Sequence, residues 1–350
     1  MFRSERWPAL QGGLIALAAA LLFGVSTPLV QRFGAGVGSF TTAALLYAGA
    51  ALVGWLVRRP IEREARVRLS DARRLALMAC FGAAIGPVAL AWGLQRTSGA
   101  SASLMLTLEA VFTAVLAWLW YGEALGRRVV VAMGLLMFGG MALVVDRAAG
   151  APGQLLGLLA VMVATLAWGI DNALSRAVAG RDPGQVVMWK GALGAAATAG
   201  LAFAFGEPVP APGPTAALLA VGATGYGLSL RFYLLAQRAF GAARTGSVFA
   251  TAPFVGALFA LALGEPSGGA WMLAGAALMA LGIGLHLAER HAHAHTHDAL
   301  EHEHAHRHDD GHHTHPHDPP PAGAHSHRHR HEPIHHAHPH VPDAHHLHRH

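Results

Sequence analysis

The sequence predicts an all-α integral membrane protein of ten transmembrane helices, arranged as two inverted five-helix repeats and followed by a disordered histidine-rich tail. Three observations predict this class. Of the 350 residues, 53% are hydrophobic and only 13% are charged, a composition typical of membrane proteins. Apolar stretches of spanning length recur along the chain. All 25 histidines lie at or after His286, so the body and the tail are chemically distinct.

The apolar stretches predict ten spans, because a helix needs roughly 20 largely apolar residues to cross a bilayer. They are placed at 11–32, 39–57, 73–95, 100–121, 128–146, 154–175, 185–206, 215–237, 245–264 and 269–288. The first stretch follows Arg3 and Arg6, but it lacks a convincing cleavage site and another span follows at once. We therefore interpret it as a retained helix and not as a signal peptide.

The charges of the loops predict the orientation of the chain. Arginines concentrate before the first span and after spans two, four, six and eight, whereas the opposite loops carry only Arg32, Arg96 and Arg147. By the positive-inside rule, both termini and the tail are expected in the cytoplasm, with the body in the plasma (inner) membrane. The basic segment RRPIEREARVRLSDARR acts as a cytoplasmic anchor on this interpretation, so nucleic acid is not an expected partner.

An internal repeat divides the chain into two halves. LFGVSTPL at 22–29 aligns with AWGIDNAL at 167–174, and an offset of 142 superposes Gln95 on Gln237 and Gly122-Glu123 on Gly264-Glu265. Because each half has an odd number of helices, the second half must enter the membrane in the opposite orientation. The predicted units are a first repeat at 10–146, a second repeat at 154–288 and a tail at 289–350.

The paired motifs resemble those of the drug/metabolite transporter superfamily, EamA type. The Gly-Glu pair closes the fourth helix of each half, and an aromatic-Gly pair, Phe23-Gly24 or Trp168-Gly169, lies in each first helix. The resemblance covers about residues 10–288. It implies a secondary carrier of small molecules with a central cavity and alternating access, and it implies no particular substrate. One departure is Thr251-Ala252-Pro253, which matches Glu109-Ala110-Val111 in the first half.

Glu109 is the deepest ionisable residue, near the middle of the predicted fourth span in SLMLTLEAVFTAVLAW. A charged side chain at the centre of a membrane helix costs about 2.5 to 3.5 kcal/mol on insertion scales, so such a residue is a functional candidate. A carboxyl group held away from water could take up and release a proton between two access states. The alternative is a hydrogen-bonded structural glutamate between helices.

Asp171 and Asn172 occupy the repeat positions of Ser26 and Thr27. A polar pair at the same place in both halves, with Pro28 beside one copy, could mark a discontinuous helix that exposes ligands to the cavity. The alternative is hydrogen bonding between helices, in which Lys190 pairs with Asp171.

Arg231, in YGLSLRFYLL, has two interpretations. It extends to the cytoplasmic interface, or it faces the cavity and attracts an anionic group of the substrate.

The body excludes several classes of enzyme. Residues 1–285 contain no histidine, so they cannot form an HExxH metalloprotease site or a Ser-His hydrolase site. They also carry no Walker-type phosphate loop. An enzyme is therefore not expected, and no cofactor is required.

The tail, with seven prolines and almost no large apolar residues, is expected to be disordered. Its His-x-His spacing favours binding of divalent Zn, Ni, Co or Cu, because an unfolded chain can wrap several neutral imidazoles around one ion. Sensing of pH and a neutral appendage are the alternatives. The candidate metal ligands are His291, His293, His295, His297, His302, His304, His306, His308, His312, His313, His315 and His317.

The leading functional hypothesis is an exporter of a small organic metabolite with a metal-binding tail. The alternatives are an exporter of divalent metal ions fed by the tail, and a membrane-tethered metal buffer or sensor without transport. The expected partners are the lipid bilayer, a small-molecule substrate and divalent metal ions. The sequence leaves the oligomeric state open, a homodimer being one option.

Overall fold

The helical body of the computed structural model follows the predicted spans closely. The structure describes residues 6–58, 65–121, 126–148, 153–178, 180–240, 242–265, 269–287, 292–297, 300–306, 325–331 and 334–339. Eight helical stretches among these residues are long and apolar enough to cross a membrane, and two shorter apolar helices, Ala252–Ala262 and Ala270–Leu285, complete the predicted ten. The all-helical membrane fold is thus confirmed.

The first half consists of seven α-helices and one π-helical segment. They are α1 Arg6–Phe33, α2 Ser39–Val57, α3 Ala72–Met78, the π segment Ala79–Ile85, α4 Gly86–Leu94, α5 Gly99–Met105, α6 Leu108–Tyr121 and α7 Arg127–Ala148. A short 3-10 turn at Leu69–Asp71 precedes α3. The third span is continuous through its π segment, whereas the fourth span is divided into α5 and α6.

The second half repeats this plan. Its elements are α8 Gln154–Ser175, α9 Pro183–Ala204, α10 Pro212–Val221, the π segment Gly222–Leu228, α11 Ser229–Phe240, α12 Ala242–Phe249, α13 Ala252–Ala262 and α14 Ala270–Leu287. A 3-10 turn at Arg176–Val178 follows α8. The π segment again lies in the third span of the half, and the ninth span is divided into α12 and α13.

The starts of the helices follow ordinary capping chemistry. The side chain of Ser98 accepts a hydrogen bond from the backbone N–H of Ser101 at 3.2 Å and begins α5. Asp182 accepts one from Gly184 at 2.9 Å, and Pro183 supplies the first residue of α9. Such caps satisfy N–H groups that have no partner within the helix.

The packing of the helices is symmetric under exchange of the two halves. α4 packs on α8 as α11 packs on α1, and α6 packs on α8 as α13 packs on α1. Two contacts map onto themselves: α2 with α9, and α7 with α14. This pattern is what a pseudo-two-fold axis between two inverted repeats produces.

Glycines allow the closest helix contacts. A Cβ atom added to Gly93 of α4 would lie 2.6 Å from the carbonyl oxygen of Gly157 of α8, and one added to Gly157 would lie 2.9 Å from that of Gly93. Helices in membranes associate through such small residues.

Large apolar side chains cover the outside of the helical body. Phe138 is 62% exposed and Leu258 is 67% exposed, and tryptophans including Trp55 and Trp189 are about half exposed. A surface of this kind is suited to lipid and not to water.

The described part of the tail forms four short strands. It contains the strands β1 Ala292–His297, β2 Leu300–His306, β3 His325–His331 and β4 Ile334–Pro339. β1 pairs antiparallel with β4, and β2 pairs antiparallel with β3. Alternation of histidine with other residues has the two-residue period of a strand, and disorder of the tail outside these segments stays a prediction. Two-stranded pairs are marginally stable alone, so they add little to the stability of the body.

Candidate functional site

Four polar side chains lie inside the helical body, around the adjacent residues Asp171 and Asn172 of α8. The side-chain Nδ2 of Asn172 donates a hydrogen bond to Oε1 of Glu109 at 2.5 Å. Nζ of Lys190, on α9, forms an ion pair with Oδ2 of Asp171. The side chains of Lys190 and Asp171 are only 4% and 6% exposed. Two neighbouring residues of the second half thus bind partners on different helices, and one of these partners belongs to the first half.

The break in the fourth span positions Glu109. The sequence predicted a continuous helix with Glu109 near its middle, but α5 ends at Met105 and α6 begins at Leu108. Glu109 therefore lies in the first turn of α6. A carboxylate is stabilised there by the partial positive charge of the helix N-terminus. Its side chain is half-buried.

The same break occurs in the ninth span. The hydroxyl of Thr107 donates to the carbonyl of Leu104 at 2.8 Å, and the hydroxyl of Thr251 donates to that of Val248 at 2.7 Å. The backbone N–H groups of both threonines also bond these carbonyls. Thr107 therefore corresponds to Thr251, an offset of 144, and Glu109 corresponds to Pro253. The offset of 142 used at this point of the sequence is corrected by two residues.

The π segment of the third span supplies an acceptor to the interior. The carbonyl of Gly82 accepts hydrogen bonds from the hydroxyl of Tyr47 and from Nε1 of Trp168, the latter at 2.9 Å. A Cβ atom at Gly82 would collide with the Asp171 carboxylate. A π segment is frequent at functional sites of helical proteins, and glycine permits this close approach.

Ser26 and Thr27 are buried, at 2% and 1% exposure, but they do not form a broken helix. The hydroxyl of Ser26 donates to the carbonyl of Phe23 within α1 at 2.6 Å, and α1 continues through Pro28. The expected discontinuity at this position is therefore wrong; the carbonyl left free by a proline can be satisfied locally in a membrane helix. Ser26 instead packs against Gly225, in the π segment of the eighth span.

Six aromatic side chains from both halves form a connected aromatic cluster. The ring of Phe23 lies 5.7 Å from that of Trp168, 5.9 Å from that of Tyr226 and 5.4 Å from that of Phe249. Tyr47 and Tyr233 extend the cluster, through Tyr226 at 5.5 Å and through Phe249 at 5.0 Å. Its members are Phe23, Tyr47, Trp168, Tyr226, Tyr233 and Phe249.

Arg231 lies at the start of α11, immediately after the π segment. Its side chain is half-buried and has an interaction partner. The end of α11 at Phe240 lies nine residues further on, roughly 13 Å along the helix axis at 1.5 Å per residue.

Two carboxylates of the second half cap helices of the first half. Glu265 accepts hydrogen bonds from the backbone N–H groups of Gly99 and Ala100, both at 3.1 Å, at the start of α5. Glu207 accepts from Phe40 and Thr41, at 3.1 and 2.7 Å, at the start of α2. The capping hydrogen bonds of Glu265 give a physical role to the Gly264-Glu265 pair. Its counterpart, Gly122-Glu123, lies outside the described residues.

Sequence reasoning missed Tyr47, Tyr226, Tyr233 and Phe249, because an aromatic residue in an apolar stretch is usually an ordinary packing residue. A signal was present in the repeat. An offset of 143 aligns Tyr47 with Lys190, and it aligns the two π segments, Ala79–Ile85 and Gly222–Leu228.

Among the described residues, no group of three or more His, Cys, Asp or Glu side chains could hold a metal ion. Six of the candidate tail ligands lie in the strands: His293, His295, His297, His302, His304 and His306. The other six, His291, His308, His312, His313, His315 and His317, lie outside the described residues.

Comparison with known proteins agrees with this architecture. The profile of the EamA-like transporter family matches residues 10–145 and 155–288. An "Uncharacterized transporter" of Methanothermobacter thermautotrophicus is 26% identical over 282 residues, which cover 73% of this chain and 80% of that protein. A solved chain described only as "Crystal structure of protein" superposes with a TM-score of 0.57 at 19% identity, over 79% of this chain and 95% of that one. The latter supports the fold alone.

Proposed function

This chain belongs to the EamA-like transporter family and is a multi-pass membrane protein; from that premise, we propose that it exports a small organic metabolite by alternating access. We place it in the plasma (inner) membrane with both termini in the cytoplasm, because the arginines concentrate in one set of loops. The proposal also assigns no enzymatic reaction to the body.

The observation that carries the proposal is the hydrogen bond between Asn172 and Glu109. It joins α8 of the second half to α6 of the first half, directly beside the break in the fourth span. Alternating access requires the two halves to move relative to each other. A titratable group at their contact can therefore couple proton binding to that movement.

The direction of the coupling follows from hydrogen-bond chemistry. An ionised Glu109 is a strong acceptor for the Asn172 amide, since hydrogen bonds to a charged group are about twice as strong as neutral ones. Protonation weakens this bond between the halves. We propose that the proton is exchanged for substrate at this contact, so that a proton entering the cell drives a solute out.

Glu109→Gln tests the coupling, because it retains the size of the side chain and an acceptor for Asn172 but removes the titratable group. We expect solute-dependent proton flux into proteoliposomes to fall to the background of protein-free vesicles. Asp146→Asn is the matched control, since Asp146 is a carboxylate near the end of α7 and takes no part in the Asn172–Glu109 hydrogen bond or the Lys190–Asp171 ion pair. Proton-linked flux at the wild-type rate in Glu109→Gln would refute the assigned role.

We further propose that the tail binds divalent metal ions, Zn, Ni, Co or Cu. The support is the His-x-His spacing and the register of the described strands, in which the Cα positions of His302 and His304 lie opposite those of His329 and His327. A histidine-rich segment with neutral imidazoles suits such ions. Residues of the tail act as a collector or buffer on this proposal, and export of the metal itself is the alternative.

The pH dependence of metal binding tests the tail. Imidazole binds metal only when neutral and has an unperturbed pKa of about 6.5, so we expect the full chain to bind several ions at pH 7.5 and at least tenfold more weakly at pH 5.5. Calorimetry should compare the full chain with one that lacks residues 291–350. Equal binding by the shortened chain would place the ions elsewhere. Metal flux into vesicles that depends on the tail would favour the metal-export alternative.

A further inference from the structure

The aromatic cluster and Glu109 are connected through α8, which carries both Trp168 and Asn172. Asn172, whose amide donates to Glu109, lies one helical turn after Trp168 on α8, and the Trp168 ring lies 5.7 Å from that of Phe23. The side chains of Phe23, Tyr233 and Phe249 are half-buried, whereas those of Tyr47, Trp168 and Tyr226 are buried. The half-buried rings and the half-buried carboxylate are thus the parts of this group that a small molecule can reach.

The charges around Glu109 do not cancel. Asp171, the neighbour of Asn172 in the sequence, forms an ion pair with Lys190. When all three groups are ionised, their formal charges of −1, −1 and +1 sum to −1. The excess negative charge is located at Glu109, which accepts a hydrogen bond from the neutral amide of Asn172.

The rings favour the same sign of ligand as the carboxylate. The face of an aromatic ring carries partial negative charge and attracts cations, and aromatic cages are a recurrent binding site for quaternary ammonium groups. Ring centroids spaced 5.0 to 5.9 Å apart from Tyr233 through Phe249 and Phe23 to Tyr226 form a continuous wall. An anionic group placed there would be repelled by Glu109 and by the ring faces.

We propose that this centre binds organic cations, with an ammonium group at Glu109 and an apolar body against Phe23, Phe249 and Tyr233. The proposal deepens the proposed function and rests on it, since it names the class of solute that the transporter carries. It assigns Phe23 and Phe249, one from each half, to opposite sides of the contact between the halves. Both rings then hold the same ligand while the halves move.

The test is calorimetric binding by the full chain in lipid nanodiscs at pH 7.5, with empty nanodiscs subtracted. The probes are benzyltrimethylammonium, benzyl alcohol and benzoate, which share an aromatic body and carry charges of +1, 0 and −1. We expect the cation to bind at least tenfold more tightly than the other two. Higher affinity for benzoate or benzyl alcohol would overturn the proposal.

Three variants locate the binding. Glu109→Gln should weaken binding of the cation at least tenfold, because the attracting charge is lost. Phe23→Leu retains an apolar side chain without a ring face and should weaken it about three- to tenfold. Phe138→Leu is the matched control, since Phe138 is 62% exposed on the outside of the body, and it should leave the affinity unchanged. Wild-type affinity in Glu109→Gln would also overturn the proposal.

Flux into proteoliposomes separates the failure of this site from the failure of transport. If benzoate or benzyl alcohol drives proton-linked flux and the cation neither binds nor moves, the substrate class is wrong and the transporter stands. If the cation binds as expected but none of the three solutes moves, the site stands and transport fails. Unchanged elution and thermal midpoint of each variant exclude misfolding as the cause of lost binding.

Discussion

The two halves of the body share a backbone and differ in the chemistry that the backbone presents. Both third spans contain a π segment with a central glycine, Gly82 or Gly225, and both fourth spans break at a threonine, Thr107 or Thr251. The side chains that meet in the interior are not repeated. Tyr47 of the first half corresponds to Lys190 of the second, and Ser26 corresponds to Asp171.

This difference separates two requirements of a carrier. Equivalent backbones allow the two halves to exchange conformations, as alternating access needs. Unequal side chains give Glu109 no titratable counterpart, because it corresponds to Pro253 in the second half. On the proposed mechanism, one polar centre then serves both access states.

Reversed insertion of the two halves is the prediction with the largest effect. Reporter fusions after residue 66 and after residue 340 should both give a cytoplasmic signal, and a fusion after residue 206 should give an external one. The reason is that five spans per half place corresponding loops on opposite sides of the bilayer. Signals on the same side at 66 and 206 would abolish the inverted comparison.

The transmembrane spans could be predicted from the sequence more completely than the residues that meet between the two halves. Apolar length identified all ten spans, because the cost of exposing polar backbone to lipid leaves helices as the main choice. The divided fourth span could not be predicted, because no glycine or proline lies at Leu106 or Thr107. The fourth span divides where the backbone N–H and the hydroxyl of Thr107 both bond the carbonyl of Leu104. Pro253 indicated a break in the ninth span only.

The candidate residues divide in the same way. Glu109, Asp171 and Asn172 were identifiable because an ionisable group within a span is costly, and they come together because α6 packs on α8. Ser26 was placed in the same set by the repeat, but a hydroxyl can bond a carbonyl of its own helix. The aromatic cluster was missed because rings contribute to apolar spans without any distinguishing composition.

Substitution of Lys190 should lower the free energy of unfolding more than substitution of its counterpart Tyr47. Lys190→Met leaves the buried Asp171 carboxylate without its partner, and breaking such a pair costs about 3 to 5 kcal/mol. Tyr47→Phe removes one of two hydrogen bonds to the Gly82 carbonyl and should cost about 0.5 to 1.5 kcal/mol. The free energy of unfolding of the purified variants in detergent measures both.

The double variant Lys190→Met, Asp171→Asn is the control for this comparison. Asparagine has the size of aspartate and avoids a collision with Gly82, so most of the stability lost in Lys190→Met should return. Equal losses in the single and double variants would mean that the methionine disrupts packing, and the charge would then not be the cause.

The smallest expected effect concerns the carboxylates that join the halves at the starts of α2 and α5. Glu265→Gln leaves one acceptor oxygen where two bond Gly99 and Ala100, and it removes the charge that favours a helix N-terminus by about 0.3 to 1 kcal/mol. A loss of about 1 kcal/mol raises local opening roughly fivefold. Hydrogen exchange detected by mass spectrometry should therefore speed up about fivefold at 99–102 and remain unchanged at 39–42.

Glu207→Gln should have the opposite effect, with faster exchange at 39–42 and unchanged exchange at 99–102, since Glu207 caps α2. Faster exchange at both helix starts in either variant would mean that the two caps open as one unit, and the halves would then be joined by a single cooperative contact instead of two independent ones.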